Sequence, residues 1–149
     1  MSNAIAPTSL ADQIQTFHDG LRGKIPEEVA AVLEDEIAKL ARSGVEAGSL
    51  RVGAVAPDFE LPDQTGLPTR LTSVLARGPV VVTFYRGAWC PYCNLQLRTY
   101  QAALSEIEAL GATLIAVSPQ TPDFTVATAS EKGLRFLVLS DVGNHVARE

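Results

Sequence analysis

From residue 79 onward, short β-branched runs alternate with helix-periodic segments, and this alternation restricts the fold more than any other feature of the chain. Pro79 to Tyr85 (Pro-Val-Val-Val-Thr-Phe-Tyr) reads as a buried strand, because β-branched and aromatic side chains suit a pleated, covered surface. Pro91 to Leu110 reads as a helix. Cys93, Leu97, Tyr100, Leu104 and Ile107 recur at steps of four, three, four and three, which is one helix face. Gly111 stops that helix, and Ala112 to Val117 is a second apolar strand. Thr121 is a capping residue and Pro122 suits the first position of the next helix, which ends near Gly133. Phe136 to Leu139 is a third, shorter strand, and Asp141 is expected to begin another helix. Strand, helix, strand, helix, strand with right-handed crossovers makes a parallel α/β sheet.

Upstream, two helices are expected, over Leu10 to Leu21 and Pro26 to Arg42. Pro26 fits a first helical position, and Glu27-Glu28 complement the positive end of the helix dipole. Val29, Leu33, Ile37 and Leu40 form one apolar stripe, which is expected to face the protein's own core. Residues 44–57 are a Gly-rich connection. Asp58 to Leu61 and Leu67 to Leu71 flank the turn Pro62-Asp63-Gln64-Thr65-Gly66 and read as a hairpin. The expected organisation is an N-terminal helical extension over residues 1–48 and an α/β domain over residues 49–149.

Bulk properties narrow the function. The chain has 149 residues, 46% hydrophobic and 19% charged, which is enough to bury a core without disulfide staples. A net charge of −5 favours neither nucleic acid nor an anionic membrane surface. No apolar run approaches the roughly 20 residues of a membrane span. Met1 to Gln13 lacks a basic region followed by an apolar core, so no signal peptide is expected and the expected location is cytoplasmic. Ser2-Asn3-Ala4 resembles a scar left by tag cleavage.

The two cysteines, Cys90 and Cys93, are three positions apart. A stapled secreted domain needs several distant pairs, so this pair points to redox chemistry or half a metal site. Zinc would need two more ligands, and the two histidines, His18 and His145, are far away in sequence. No metal and no cofactor are therefore expected. The pair joins a strand to a helix N-terminus, where unpaired N–H groups and the dipole favour a thiolate. Pro91 fits because the first helical N–H has no partner anyway. Cys93 shares a face with Leu97 and Tyr100 and is expected to point inward. Cys90 precedes the first turn and is expected to be more exposed, to attack first and to be alkylated first, with Cys93 resolving the mixed disulfide. Arg86 is a candidate for lowering a cysteine pKa or binding a substrate anion. Trp89 and Tyr92 are candidate walls of a substrate groove, and two inert core cysteines are the plain alternative.

Residues from about 52 to 149 resemble the peroxiredoxin-like AhpC/TSA or redoxin branch of the thioredoxin superfamily. Ala56-Pro57-Asp58-Phe59, the following hairpin, Thr83-Phe84-Tyr85, the cysteine motif, Ala116-Val117-Ser118 and Leu139-Ser140-Asp141 carry the resemblance. The N-terminal helices resemble those of the subgroup with Arg-Gly-x-Trp-Cys-Pro-Tyr-Cys. The resemblance implies a thioredoxin-like fold with three α/β/α layers. Counted from Phe84-Tyr85, Arg86 stands where the family has Pro, Cys90 where it has Thr or Ser, and Cys93 at the peroxidatic position. The resemblance thus names Cys93 for attack on peroxide, whereas local helix phase names Cys90 for attack on disulfides. Cys-Pro-Tyr-Cys is also the glutaredoxin active-site sequence.

The expected function is thiol-based reduction of peroxides or disulfides through a Cys90/Cys93 dithiol–disulfide cycle, recycled by a thioredoxin- or glutathione-type reductant. A non-enzymatic redox sensor or interaction domain on the same fold is the alternative. The resemblance also implies a C-terminal hairpin and last helix, which the chain is expected to lack. The strand at Pro79–Tyr85 would then present an open edge. A homo-oligomer across that edge, or cover from the 58–71 hairpin or the N-terminal helices, is expected, together with weak turnover.

Overall fold

The computed structural model describes residues 9–149, so Ser2-Asn3-Ala4 and most of the Met1 to Gln13 segment lie outside the described residues. The chain forms two compact units, one ending at Ala56 and one spanning Pro57–Glu149.

In the first unit, α1 (Leu10–Arg22) is capped by Ser9, whose hydroxyl accepts the Asp12 N–H at 3.1 Å. Helix α2 (Glu27–Arg42) begins one residue after Pro26, which serves as its N-cap. Arg22 pairs with Glu27 and Glu34 across the α1–α2 turn. These ion pairs are exposed and contribute at most about 1 kcal/mol each. Burial on α2 falls on Ala30, whereas Val29, Leu33, Ile37 and Leu40 are exposed. The expectation that this stripe faces a core is therefore corrected. A short 3₁₀ turn, Val45–Gly48, follows.

The second unit holds the sheet. Strands β1 (Glu60–Pro62) and β2 (Pro68–Arg70) form the antiparallel hairpin, and α3 (Leu71–Leu75) follows at once. Then come β3 (Val80–Phe84), α4 (Pro91–Ala109), β4 (Thr113–Ser118), α5 (Pro122–Glu131) and β5 (Leu137–Ser140). The three long strands are parallel in the order β3-β4-β5, with Val80 opposite Thr113 and Ile115 opposite Leu137. Alternation along β4 supplies both faces of the core. Leu114 and Ala116, with Val138 of β5, pack against Leu97 and Leu104 of α4 and Ala129 of α5. Ile115 and Val117, with Leu139, pack against Phe59, Leu71 and Val74. This makes three layers: α4 and α5, the sheet, and α3 with the hairpin.

The hairpin runs along β5 rather than β3. Asp63 bridges to Leu139, and the Gln64 carboxamide accepts the Val138 N–H at 2.8 Å and donates to the Phe136 carbonyl at 3.2 Å. Gln64 thus imitates a further strand, which is why the hairpin does not supply the expected cover for β3. Among the described residues, β3 is paired by β4 alone and no strand follows Ser140.

A second correction concerns Asp141, which is expected from sequence to open a helix. Its buried carboxylate accepts the N–H groups of His145, Val146 and Ala147 at 2.9, 3.2 and 3.0 Å. These bonds close a tight loop, and only a 3₁₀ turn, Val146–Arg148, forms. Gly143 and Asn144 in this loop have φ of 85° and 56°, which no α-helix accommodates.

Asp63 anchors the hairpin turn. Its carboxylate accepts the Thr65 N–H and hydroxyl, both at 2.7 Å, and the Leu67 N–H at 3.1 Å. Burial pushes its pKa up, but the Thr65 and Leu67 bonds and the Gly66 N–H outweigh burial and hold it below the ordinary value. The folded pKa is therefore below the unfolded one of about 3.9. Its stabilisation is complete above the unfolded pKa and is lost as pH falls through the folded pKa. Urea unfolding from pH 6 down to pH 2 is expected to weaken less steeply for Asp63→Asn than for the parent. Equal slopes would remove Asp63 from the acid response.

Candidate active site

The site grows out of the end of β3. The Tyr85 N–H makes the last ladder bond, to the Val117 carbonyl at 2.9 Å, and the chain then leaves the sheet. Gly87 has φ of 141°, in a region that L residues rarely adopt, and its carbonyl accepts the Cys90 N–H at 3.1 Å. This turn delivers Cys90 to the N-cap of α4 in extended conformation, with Pro91 as the first helical residue. Two side chains hold the loop. The Asn94 amide donates to the Ala88 carbonyl at 2.8 Å, and the Gln120 carboxamide accepts the Ala88 N–H at 3.0 Å. Neither is among the sequence candidates, because these contacts form only once α4 and the loop after β4 come together. Their polar type in a loop or helix carries no local signal.

Both cysteines are free and buried. Cys90 is 2% exposed and Cys93 7% exposed, so the expectation that helix phase exposes Cys90 is corrected. An N-cap side chain folds back over the first turn, and here that turn is tucked beneath the loop it closes. Cys93 lies on the buried face of α4 with Leu97 as expected, yet it also lines a cavity of about 580 Å³ at the carboxyl ends of β3, β4 and β5. That location is where open α/β sheets place ligands. Phe84, Tyr85, Arg86, Trp89, Val117, Pro119, Asp141 and Asn144 share the lining, which is mostly apolar. Cys90 is not among the residues that line the cavity, and its thiol is hydrogen-bonded to that of Cys93. Of the remaining sequence candidates, Arg86 and Trp89 reach the cavity. Tyr92 instead packs on the hydrophobic cluster beneath α4, and Pro91 is an exposed helix opener.

The two thiols are hydrogen-bonded to each other. Burial pushes Cys90 up, but the Cys93 thiol, the N–H groups of Cys93 and Tyr92 and the Arg86 charge together hold it below the ordinary thiol value. Burial and then the neighbouring Cys90 sulfur push Cys93 up, countered by the N–H groups of Arg86 and Gly87. The Arg86 N–H donates to the Cys93 sulfur at 3.4 Å. Of the two sulfurs, the surroundings favour charge on Cys90 and a proton on Cys93, the one that lines the cavity.

The Arg86 guanidinium stacks on Trp89, 4.5 Å from the ring centroid, and Trp89 is 65% exposed. Such a stack contributes about 0.5–1 kcal/mol at an exposed site. Arg86→Ala is expected to shift the emission of this single tryptophan and to slow alkylation of the pair at pH 7, since one cation favouring the thiolate is gone. Unchanged alkylation would assign Arg86 to packing alone.

Comparison with known proteins agrees with this geometry. Residues 52–149 match the model of the AhpC/TSA family. The chain belongs to the AhpC/TSA family. Among its relatives, the chloroplastic peroxiredoxin Q of Triticum aestivum is 32% identical over 133 residues, covering 89% of this chain and 59% of its own length. Peroxiredoxin Bcp of Escherichia coli K12 is 31% identical over 100 residues, covering 67% of this chain and 64% of its own. The crystal structure of peroxidoxin BcpB from Mycobacterium tuberculosis superposes with a TM-score of 0.64 at 32% identity, over 66% of this chain and 64% of that one. This AhpC/TSA chain therefore has the thioredoxin-like fold of that structure and spans 44–65% of the length of the curated relatives it matches. None of its helices among the described residues is long and apolar enough to cross a membrane.

Proposed function

We propose that this protein reduces peroxides through a dithiol–disulfide cycle in which Cys93 takes the oxygen and Cys90 resolves it. The observation that carries the reading is that Cys93 lines the cavity while the Cys90 thiol, at the N-cap of the same helix, is hydrogen-bonded to it. Membership of a family whose relatives are named peroxiredoxins supports peroxide as the oxidant.

Atoms and electrons balance across the cycle. Cys90 accepts the Cys93 proton. The Cys93 thiolate attacks the distal peroxide oxygen, the O–O bond breaks, and the leaving alkoxide or hydroxide takes a proton from solvent to become alcohol or water. Cys93 is now a sulfenic acid. The Cys90 sulfur attacks it, the S–O bond breaks, water leaves and a Cys90–Cys93 disulfide remains. Two electrons from an external thiol reductant of the thioredoxin or glutathione type restore the dithiol. A reducing compartment such as the cytoplasm suits that donor. The cycle as written runs on thiols alone.

Steady-state consumption of hydrogen peroxide with dithiothreitol as the recycling thiol tests the reading. Many turnovers per chain are expected. A single oxidation per chain with no recycling would instead favour a redox sensor on this fold.

A further inference from the structure

In the proposed cycle peroxide enters through the cavity, and the cavity also bears on where electrons return. In the oxidised protein one of two sulfurs must be attacked by the external thiol, and the two are not equivalent. Cys93 lines the cavity of about 580 Å³ beside Arg86 and Trp89. Cys90 is 2% exposed, at the N-cap of α4 beneath the Gly87–Trp89 loop, and that loop is pinned by Asn94 and Gln120.

We infer that Cys93 is the single entry point for both halves of the cycle: the reducing thiol attacks the Cys93 sulfur, and Cys90 departs without ever bonding to a partner. This rests on the proposed disulfide cycle and assigns its polarity. It is the reverse of the polarity that helix phase alone suggests for this motif.

The step balances. An external thiolate bonds to the Cys93 sulfur and the Cys90–Cys93 bond breaks. The bonding pair goes to Cys90, and a mixed disulfide remains on Cys93. A second external thiolate then attacks the partner's sulfur, releasing an external disulfide and the Cys93 thiolate. The pair has gained two electrons, and solvent supplies the proton that returns to it. The surroundings favour this direction. A leaving thiolate departs faster when it is stabilised, and the Cys90 thiolate is stabilised by the N–H groups of Tyr92 and Cys93 and by the Arg86 charge. Attack on Cys90 would instead require the pinned loop to open and would expel Cys93, the less stabilised thiolate of the two.

The test uses the wild-type chain. Peroxide-oxidised protein is mixed with one equivalent of reduced glutathione, quenched with iodoacetamide and mapped by peptide mass spectrometry. Glutathione on Cys93 with alkylated Cys90 is expected, and glutathione on Cys90 with alkylated Cys93 overturns the inference. A second measurement covers an adduct too short-lived to trap. Reduced Cys90→Ser and Cys93→Ser variants react with 5,5′-dithiobis(2-nitrobenzoic acid), and the variant retaining Cys93 is expected to react about tenfold or more faster, as a buried sulfur is slower. Equal rates, or faster reaction of the variant retaining Cys90, overturn the inference. Failure of wild-type protein to form any disulfide would refute the cycle itself, while these variant rates still decide which sulfur a partner reaches.

Discussion

Cys93→Ser is expected to abolish the proposed peroxide turnover, with a loss of about 10³-fold or more, the scale expected when a nucleophile is removed. The serine oxygen fits the site, but its hydroxyl does not ionise near pH 7 and cannot displace an alkoxide. Cys90→Ser gives a different defect. Cys93 still faces the cavity and still accepts the Arg86 N–H at 3.4 Å, so a first equivalent of peroxide is consumed. No thiol stands behind it to expel water, so the sulfenic acid persists and excess peroxide drives it to sulfinic acid. The initial rate also falls, because Cys90 no longer accepts the Cys93 proton. Stopped-flow peroxide consumption separates the two variants: no fast phase for Cys93→Ser, one fast equivalent without recycling for Cys90→Ser. The opposite pattern would exchange the roles of the two cysteines.

Gly87→Val is expected to damage stability and chemistry together. At φ of 141° a β-branched side chain is strained, and such a site costs about 1–3 kcal/mol. A Cβ there would also lie 2.7 Å from the Trp89 ring nitrogen and 3.5 Å from the Gln120 carboxamide carbon. Trp89 is exposed and can swing away, so the backbone strain dominates the cost. Relieving it rotates the two peptides that flank residue 87, one whose N–H favours the Cys93 thiolate and one whose carbonyl holds the Cys90 N–H. The melting temperature is expected to fall by roughly 4–24 °C, taking about 4–8 °C per kcal/mol for an α/β unit of this size. Emission from Trp89 should change in the folded state, and turnover should drop at temperatures where the variant is still fully folded. A stable variant with parental turnover would mean that Gly87 is replaceable and that the loop does not set the cysteines.

Much of this architecture is legible in the chain because it is written in local periodicity. The β-branched run at Val80–Phe84, the four-three stepping from Cys93 to Ile107 and the alternation along Leu114–Val117 each specify an element and the face it buries. The cysteine pair is legible for the same reason, since its place at a strand–helix junction derives from those elements. Other features depend on distant partners and have no local trace. Gln64 docking on β5 is a contact across more than seventy residues, so the hairpin's position is not encoded in its own turn residues. Burial of Cys90 depends on the Ala88 clamp by Asn94 and Gln120, which helix phase does not encode. Asp141 carries a capping signal, and its carboxylate does collect backbone N–H groups. Asn144 in a left-handed conformation then shortens the helix expected there to a 3₁₀ turn. The apolar stripe on α2 obeys helical spacing, yet burial falls on Ala30, because periodicity names a face and not its partner.

The central claim is that Cys90 and Cys93 form one redox unit driven by peroxide. Intact mass and peptide mapping of the reduced chain after one equivalent of hydrogen peroxide test it most directly. The expected product is two hydrogens lighter than the dithiol, with a linked Cys90–Cys93 peptide that dithiothreitol returns to the starting mass. A product that gains oxygen with no linked peptide, or a chain whose two thiols both remain open to alkylation, would contradict it.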